Sequence, residues 1–196
     1  DLRRSVGAED QPILLFVGRL INNKDLDDLV DADRILKSRG RDFKIVIVGD
    51  GPMRSELEEQ LPDAHFTGFL YGAELAEWYA SADMFSFPST TETFGNVILE
   101  AFASGIPAVG VAAGGVGDII NHEKDGLIAR PKNPQDFALQ LDRLITQPEY
   151  ARRLGFQARI TAQQYSWSKI NKRLLDSYHE FITRSQAKKL STALAA

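Results

Sequence analysis

The 196-residue chain contains no cysteine, which excludes thiol nucleophiles, disulfide frameworks and cysteine-ligated zinc. Histidine is nearly as scarce. His65, His122 and His179 stand far apart, without the short spacing that metal ligands share, so no metal site and no metal cofactor is expected. Long apolar runs are missing too: none approaches the roughly 20 residues of a membrane-spanning helix. The charged start is unlike a signal peptide. An excess of positive charge is also absent. With 23 basic and 27 acidic side chains the net charge is −4, which gives no overall field toward nucleic acid or an anionic membrane. Nucleic acid is therefore not an expected partner, and a reducing, cytoplasmic setting suits the composition. The first residue is Asp1, not Met, and residues 1–11 read as the remnant of a connector. A fragment of a longer protein is expected, with any membrane association of the intact protein peripheral and outside this stretch.

What is present is an alternation of short β-rich runs with longer helical patterns, which indicates α/β units around a parallel sheet. The spacing predicts strands at 13–17, 44–48, 64–66, 84–87, 108–111 and 126–128. Helices are predicted at about 25–38, 53–60, 74–81 and 95–104. Beyond Pro131 the pattern becomes wholly helical, with helices at 134–146 and 148–165 and a third from Ser166-Trp167 onward. The fold expected is Rossmann-like: about six parallel strands, helices on both faces, and a C-terminal helical extension. One domain is expected over 12–185, followed by a disordered tail at 186–196, where small and polar residues dominate.

In an open α/β sheet, ligands bind beyond the carboxyl ends of the strands. The residues there are Gly18-Arg19 with Lys24, Gly49-Asp50-Gly51, Gly68 to Tyr71, Ser89 to Gly95, and Ala113-Gly114-Gly115. Glycine permits close backbone approach, and two cations and two carboxylates, Glu92 and Glu100, join it. Arg19 and Lys24 near a helix N-terminus suit a diphosphate clamp; equally, they could be solvated surface charges. Glu92 lies in a strand-to-helix loop and Glu100 about one turn into the helix. Ionised carboxylates accept hydrogen bonds from vicinal hydroxyls. The same pair could be a glycosidase acid and base, or an exposed pair with no role. Asp31-x-Asp33 imitates a metal-binding Asp-x-Asp motif, but residues two apart on a helix face different ways, so it reads as surface charge. Phe and Trp residues away from these loops read as core.

The run Pro88-Ser-Thr-Thr-Glu92-Thr-Phe-Gly-Asn-Val-Ile-Leu-Glu100-Ala, continuing to Ser104-Gly105-Ile106-Pro107, closely resembles the signature of the retaining glycosyltransferases of family four, enzymes of the GT-B fold. Val17-Gly18-Arg19-Leu20 with Lys24 looks like that family's first phosphate loop. Val48-Gly49-Asp50-Gly51-Pro52, Phe66-Thr67-Gly68, Tyr79-Ala80-Ser81-Ala82-Asp83 and Gly114-Gly115 follow in the family's order. The resemblance covers about 13–146, and the Trp167 region is similar to the family's C-terminal helices.

The resemblance implies the donor-binding half of a GT-B enzyme, whose substrate is a nucleotide-diphosphate sugar of the UDP or GDP kind, used without a metal. Arg19 and Lys24 would neutralise the diphosphate, and Glu92 would hold sugar hydroxyls. Thr93 and the backbone of Phe94, Gly95, Asn96 and Val97 would meet sugar or phosphate. Glu100 would bind the ribose hydroxyls. Gly18, Gly49 and Gly51 would also belong to the donor-binding site, and Gly68, Phe69 and Leu70 would frame the nucleobase. The acceptor would be bound mainly by a missing N-terminal domain, leaving this stretch alone weak or inactive in transfer. Two other readings stay open: a nucleotide-sugar epimerase of the same fold, and a non-catalytic nucleotide-sugar-binding module. A dinucleotide-binding domain does not fit, since Gly18-Arg19-Leu20-Ile21-Asn22-Asn23 lacks the Gly-x-Gly-x-x-Gly pattern.

Overall fold

Five apolar residues in succession leave no face for water, and Ile13–Val17 forms strand β1 with every side chain buried. The structure is a computed structural model that describes residues 2–194, with side chains for 2–184. β2 (Lys44–Val48), β3 (His65–Gly68), β4 (Met84–Phe87), β5 (Ala108–Val111) and β6 (Gly126–Ala129) complete a six-stranded sheet. All the pairings are parallel, in the order β3-β2-β1-β4-β5-β6. The helices are α1 (Leu2–Ser5), α2 (Leu26–Ser38), α3 (Arg54–Gln60), α4 (Gly72–Ser81), α5 (Asn96–Ala103), α6 (Val116–Ile119), α7 (Pro134–Thr146), α8 (Pro148–Ala162) and α9 (Trp167–Leu194). Right-handed crossovers put α2 and α3 on one face and α4 and α5 on the other. Accordingly, α2 packs on α7, while α5 packs on α8.

The chain divides into two compact units, Asp1–Ala162 and Gln163–Ala196, rather than one spanning 12–185. The first holds the sheet and α1 to α8. Residues 1–11, expected as a connector remnant, belong to it: Arg3 donates to the Ser81 and Gln11 carbonyls at 2.8 and 2.7 Å, and Val6 and Ala8 join the core. The second unit begins with a 3₁₀ turn at Gln163–Tyr165, where a longer α8 was expected, and continues as α9. The backbone expected to be disordered at 186–196 is helical as far as Leu194; residues 195–196 lie outside those described. Three short elements, α1, α6 and a 3₁₀ turn at Asn22–Lys24, have no counterpart in the sequence reading.

Phe16, Phe85, Phe87, Phe102 and Phe137 are fully buried, each contributing about 1.5–3 kcal/mol. The expectation that Phe and Trp residues away from the ligand loops are core holds for Trp78 but not for Phe156, Trp167 or Phe181, which are exposed. Asp31-x-Asp33 is also only half a surface feature. Asp31 pairs with Arg34 in solvent, whereas Asp33 is buried and held by Lys37 at 3.1 Å. Burial pushes the Asp33 carboxyl above its ordinary range, against the pull of Lys37.

The loops after β1 and β2 lock together through backbone. Gly18 donates to the Val48 carbonyl at 3.0 Å and Leu20 to the Asp50 carbonyl at 2.9 Å. A Cβ on Gly49 would sit 1.8 Å from the Gly18 oxygen, and one on Gly51 would sit 2.4 Å from the Leu20 oxygen. Gly49→Ala is therefore expected to lose at least about 2 kcal/mol in urea denaturation. Ser86, whose buried hydroxyl has no partner, is the contrast: Ser86→Ala should be neutral or stabilising by up to about 1 kcal/mol.

Candidate functional site

β1 and β4 are neighbours, yet their chains depart in opposite directions, to β2 and to β5. A crevice for ligand opens at such a reversal, beyond the carboxyl ends of the strands. On one side lies the loop from Gly18 to Asp25, which contains the 3₁₀ turn; on the other lies the loop from Pro88 to Gly95, which leads into α5.

The two loops meet through Lys24 and Glu92, whose Nζ and Oε2 stand 2.8 Å apart with both side chains mostly buried. The Lys24 ammonium also lies 5.3 Å from the centroid of the Phe87 ring, so its position is fixed from beneath by the core. The other Glu92 oxygen accepts from the Gly95 amide at 3.2 Å. Burial by itself would raise the Glu92 carboxyl. Lys24 and the Gly95 and Phe94 amides outweigh it and hold the carboxyl below its ordinary range.

Gly95 precedes α5 in the left-handed conformation, φ 80°, which turns the chain sharply enough to start a helix directly after the loop. The first amides of α5, Asn96 and Val97, have no acceptor within the helix and are available to an anion. Farther along α5, exposed Glu100 accepts from the hydroxyl of buried Tyr79 at 2.9 Å. Burial, then the charge and hydrogen bond of Glu100, push the Tyr79 hydroxyl well up, so it stays a donor.

Of the residues singled out from the sequence, the structure brings together Lys24, Glu92, Phe94, Gly95 and the start of α5. Arg19 is exposed just beyond β1, and no ion pair engages it among the described residues. Thr93 and Phe94 are exposed on the loop. Gly68 ends β3 and Phe69 follows it, at the edge of the sheet away from β5 and β6; Gly68 accepts the Gly49 amide at 2.8 Å, Phe69 is exposed and Leu70 packs on the core. At Gly49 and Gly51 the space a side chain would fill is occupied by neighbouring backbone, so chain packing already accounts for glycine there.

Several contacts around the pair escape sequence reasoning. Ser89 and Thr91 donate through their hydroxyls to the Asn23 carbonyl at 3.2 and 2.7 Å. Buried Asp25 accepts from the amide and hydroxyl of Thr90 at 2.8 and 2.6 Å, and Lys132 closes on its other oxygen. The Gly115 amide donates to the Glu92 carbonyl at 2.8 Å. The only sequence signal for these was the Ser-Thr-Thr run itself, rich in short hydroxyls that bond backbone. A cavity of about 290 Å³ lined by Pro12, Met84, Ile106, Pro107, Leu144 and Arg152 lies at the opposite, amino ends of β1 and β4, away from these groups. Among the described residues, no cluster of three His, Asp or Glu is arranged to hold a metal, and no helix is long and apolar enough to cross a membrane.

Comparison with known proteins identifies the family and the fold. The chain is 38% identical over 186 residues to an uncharacterized glycosyltransferase of Methanocaldococcus jannaschii, covering 91% of this chain and 47% of that protein. It is 36% identical over 184 residues to a GDP-mannose-dependent alpha-mannosyltransferase of Mycolicibacterium smegmatis, covering 93% and 47%. The chain thus spans about half the length of the curated relatives it matches. Among solved structures, the Anabaena protein HepE in complex with UDP-glucose superposes with a TM-score of 0.79 at 25% identity, over 91% of this chain and 51% of that one. The six-stranded sheet with its helices is one Rossmann-like half of a GT-B fold. The family model described as glycosyl transferases group 1 matches residues 1–161, and the chain belongs to that family.

Proposed function

We propose that this chain is the donor-binding domain of a glycosyltransferase that moves a sugar from a nucleoside diphosphate to an acceptor with retention of anomeric configuration. The observation that carries the reading is the Lys24–Glu92 pair at the β1–β4 reversal, hydrogen-bonded to the turn that starts α5. A diphosphate seated at that helix N-terminus meets free amides, the Lys24 ammonium and, from the rim, the Arg19 guanidinium. These groups stabilise the charge that develops on the departing nucleoside diphosphate, and no divalent metal takes part. Glu92 accepts hydroxyls of the sugar and Glu100 those of the ribose, with Tyr79 aiming the Glu100 carboxylate. Phe69 and Leu70 frame the base.

In the transfer, the bond from the anomeric carbon to the diphosphate oxygen breaks and one to the acceptor oxygen forms. The acceptor's proton leaves with the nucleoside diphosphate. The acceptor is held mainly by an N-terminal domain outside this chain, so the chain alone transfers weakly or not at all. The intact enzyme works in the cytoplasm and meets a membrane, if at all, at its surface. Membership of the group 1 family and the GDP-mannose and UDP-glucose named for its relatives support this reading over an epimerase or a non-catalytic binding module.

Uracil or guanine nucleoside diphosphate at a hundred times its dissociation constant should stabilise the chain by about 2.7 kcal/mol, seen as a rise in Tm. Arg19→Ala should weaken that binding about tenfold by calorimetry. If neither base, as diphosphate or sugar nucleotide, moves the Tm, the reading is wrong.

Acidity gives an independent check on the Glu92 environment. A carboxyl depressed in the folded chain contributes stability that is complete above its ordinary value of 4.5 and is lost as pH falls through the depressed one. Glu92→Gln cannot titrate. The Tm of the wild type should therefore exceed that of Glu92→Gln at neutral pH, and the gap should close on acidification; a gap that widens toward low pH contradicts the assignment.

A further inference from the structure

We infer that Asp25, with Lys132 behind it, is a positioning residue that sets Lys24 against the diphosphate of the donor. The inference rests on the donor-site reading and adds to it a group that touches no ligand. It starts from a backbone anomaly. Three described residues other than glycine have positive φ, and two of them, Asp25 at 53° and Lys132 at 53°, are each other's ion-pair partners. Left-handed backbone is unfavourable for a residue with a Cβ, and it persists where surrounding contacts over-determine it.

The contacts here are unusual for the place. Asp25 stands at the N-cap of α2, where an aspartate ordinarily accepts from the helix's own first amides. Its side chain makes no such bond. Instead one oxygen takes both the amide and the hydroxyl of Thr90, and the other takes Lys132. A side chain serving α2 alone would cap it; this one ties the loop after β1 to the loop after β4 and to the turn between β6 and α7. Lys24 precedes Asp25 and Glu92 lies two residues past Thr90, so the brace holds the backbone of both members of the ion pair.

The charges around Asp25 fit the same role. Burial would raise its carboxyl, and Lys132 and Thr90 hold it down, so it remains an anion able to grip both loops. Asp27 and Asp28 lie beside it on the first turn of α2, and Lys132 is the cation that faces all three. When a diphosphate draws Lys24 away from Glu92, the side chain moves, but the brace keeps its base in place. Without the brace, Lys24 must order itself at the moment of binding, and the loss falls on ligands that present a second phosphate.

The test compares nucleoside diphosphate with nucleoside monophosphate of whichever base the wild-type chain takes, uracil or guanine, by calorimetry. Asp25→Ala should weaken the diphosphate about tenfold and the monophosphate less than about twofold. Lys132→Met should act in the same direction, and should add little in the Asp25→Ala background, because it acts through Asp25. Equal weakening of both nucleotides, unchanged diphosphate binding, or additive losses in the double variant would each overturn the brace. If Asp25→Ala fails to fold, Lys132→Met alone decides, since its side chain is 64% exposed and its removal leaves the Thr90 bonds intact. A wild-type chain that binds neither nucleotide of either base would remove the donor-site reading itself and the brace with it. Wild-type binding with indifferent variants would remove the brace alone.

Discussion

At the reversal between β1 and β4, two loops leave adjacent strand ends with no strand or helix between them to fix their spacing. The β1–β4 pairing runs only as far as Leu15 and Phe85, so between these two loops side chains and turns must take over. Ser89 and Thr91 bond to Asn23, Thr90 bonds to Asp25, and Glu92 bonds to Lys24. Four successive residues of one loop thus grip three successive residues of the other. The site's geometry depends on that seam more than on either loop's own conformation. The Gly115 amide on the Glu92 carbonyl secures the outer side.

The seam rests on the core. Tyr79, Phe85, Phe87 and Phe16 form a run of ring contacts with centroids 6.0, 6.0 and 6.4 Å apart. Phe87, one ring in from the Phe16 end, lies beneath the Lys24 ammonium; at the other end the Tyr79 hydroxyl holds Glu100. The groups proposed to meet the diphosphate and the ribose are therefore located by one packed row of aromatic side chains. Close packing leaves such a row little freedom to shift, so both ends keep their places when ligand is absent.

Much of this was legible in the sequence because it is written locally. The apolar runs of β1 and β2 each occupy consecutive positions, and α7 announces itself through Pro134 near its start and its amphipathic period. Glu92, Gly95 and Glu100 came from an ordered motif whose meaning a resemblance supplied. What was not legible depends on partners far apart in the chain. Asp25 meets Thr90 and Lys132 at separations of 65 and 107 residues, and nothing local distinguishes it from an ordinary helix cap. The burial of Asp33 was missed for a related reason: mid-helix carboxylates usually face water, and only the packing around α2 shows that this one does not. The helix beyond 185 was missed because composition alone suggested a frayed tail.

Arg19 and Lys24 look equivalent as a pair of cations in the sequence, yet they begin from different electrostatic states. Arg19 is exposed, so on the donor-site reading a diphosphate replaces only water around it. Lys24 is committed to Glu92, so a phosphate oxygen gains only the difference between two charge-assisted hydrogen bonds. Removing Lys24 from Glu92 also leaves a mostly buried carboxylate short of a partner, which is costly unless something else donates to it. On the donor-site reading the sugar hydroxyls are that donor. A bare diphosphate strips the lysine and leaves the carboxylate with the Gly95 and Phe94 amides alone, whereas a sugar diphosphate replaces both halves of the ion pair at once. The pair thus keeps two mostly buried charges satisfied in the free chain, and on the donor-site reading it makes the whole nucleotide sugar a better ligand than either of its parts.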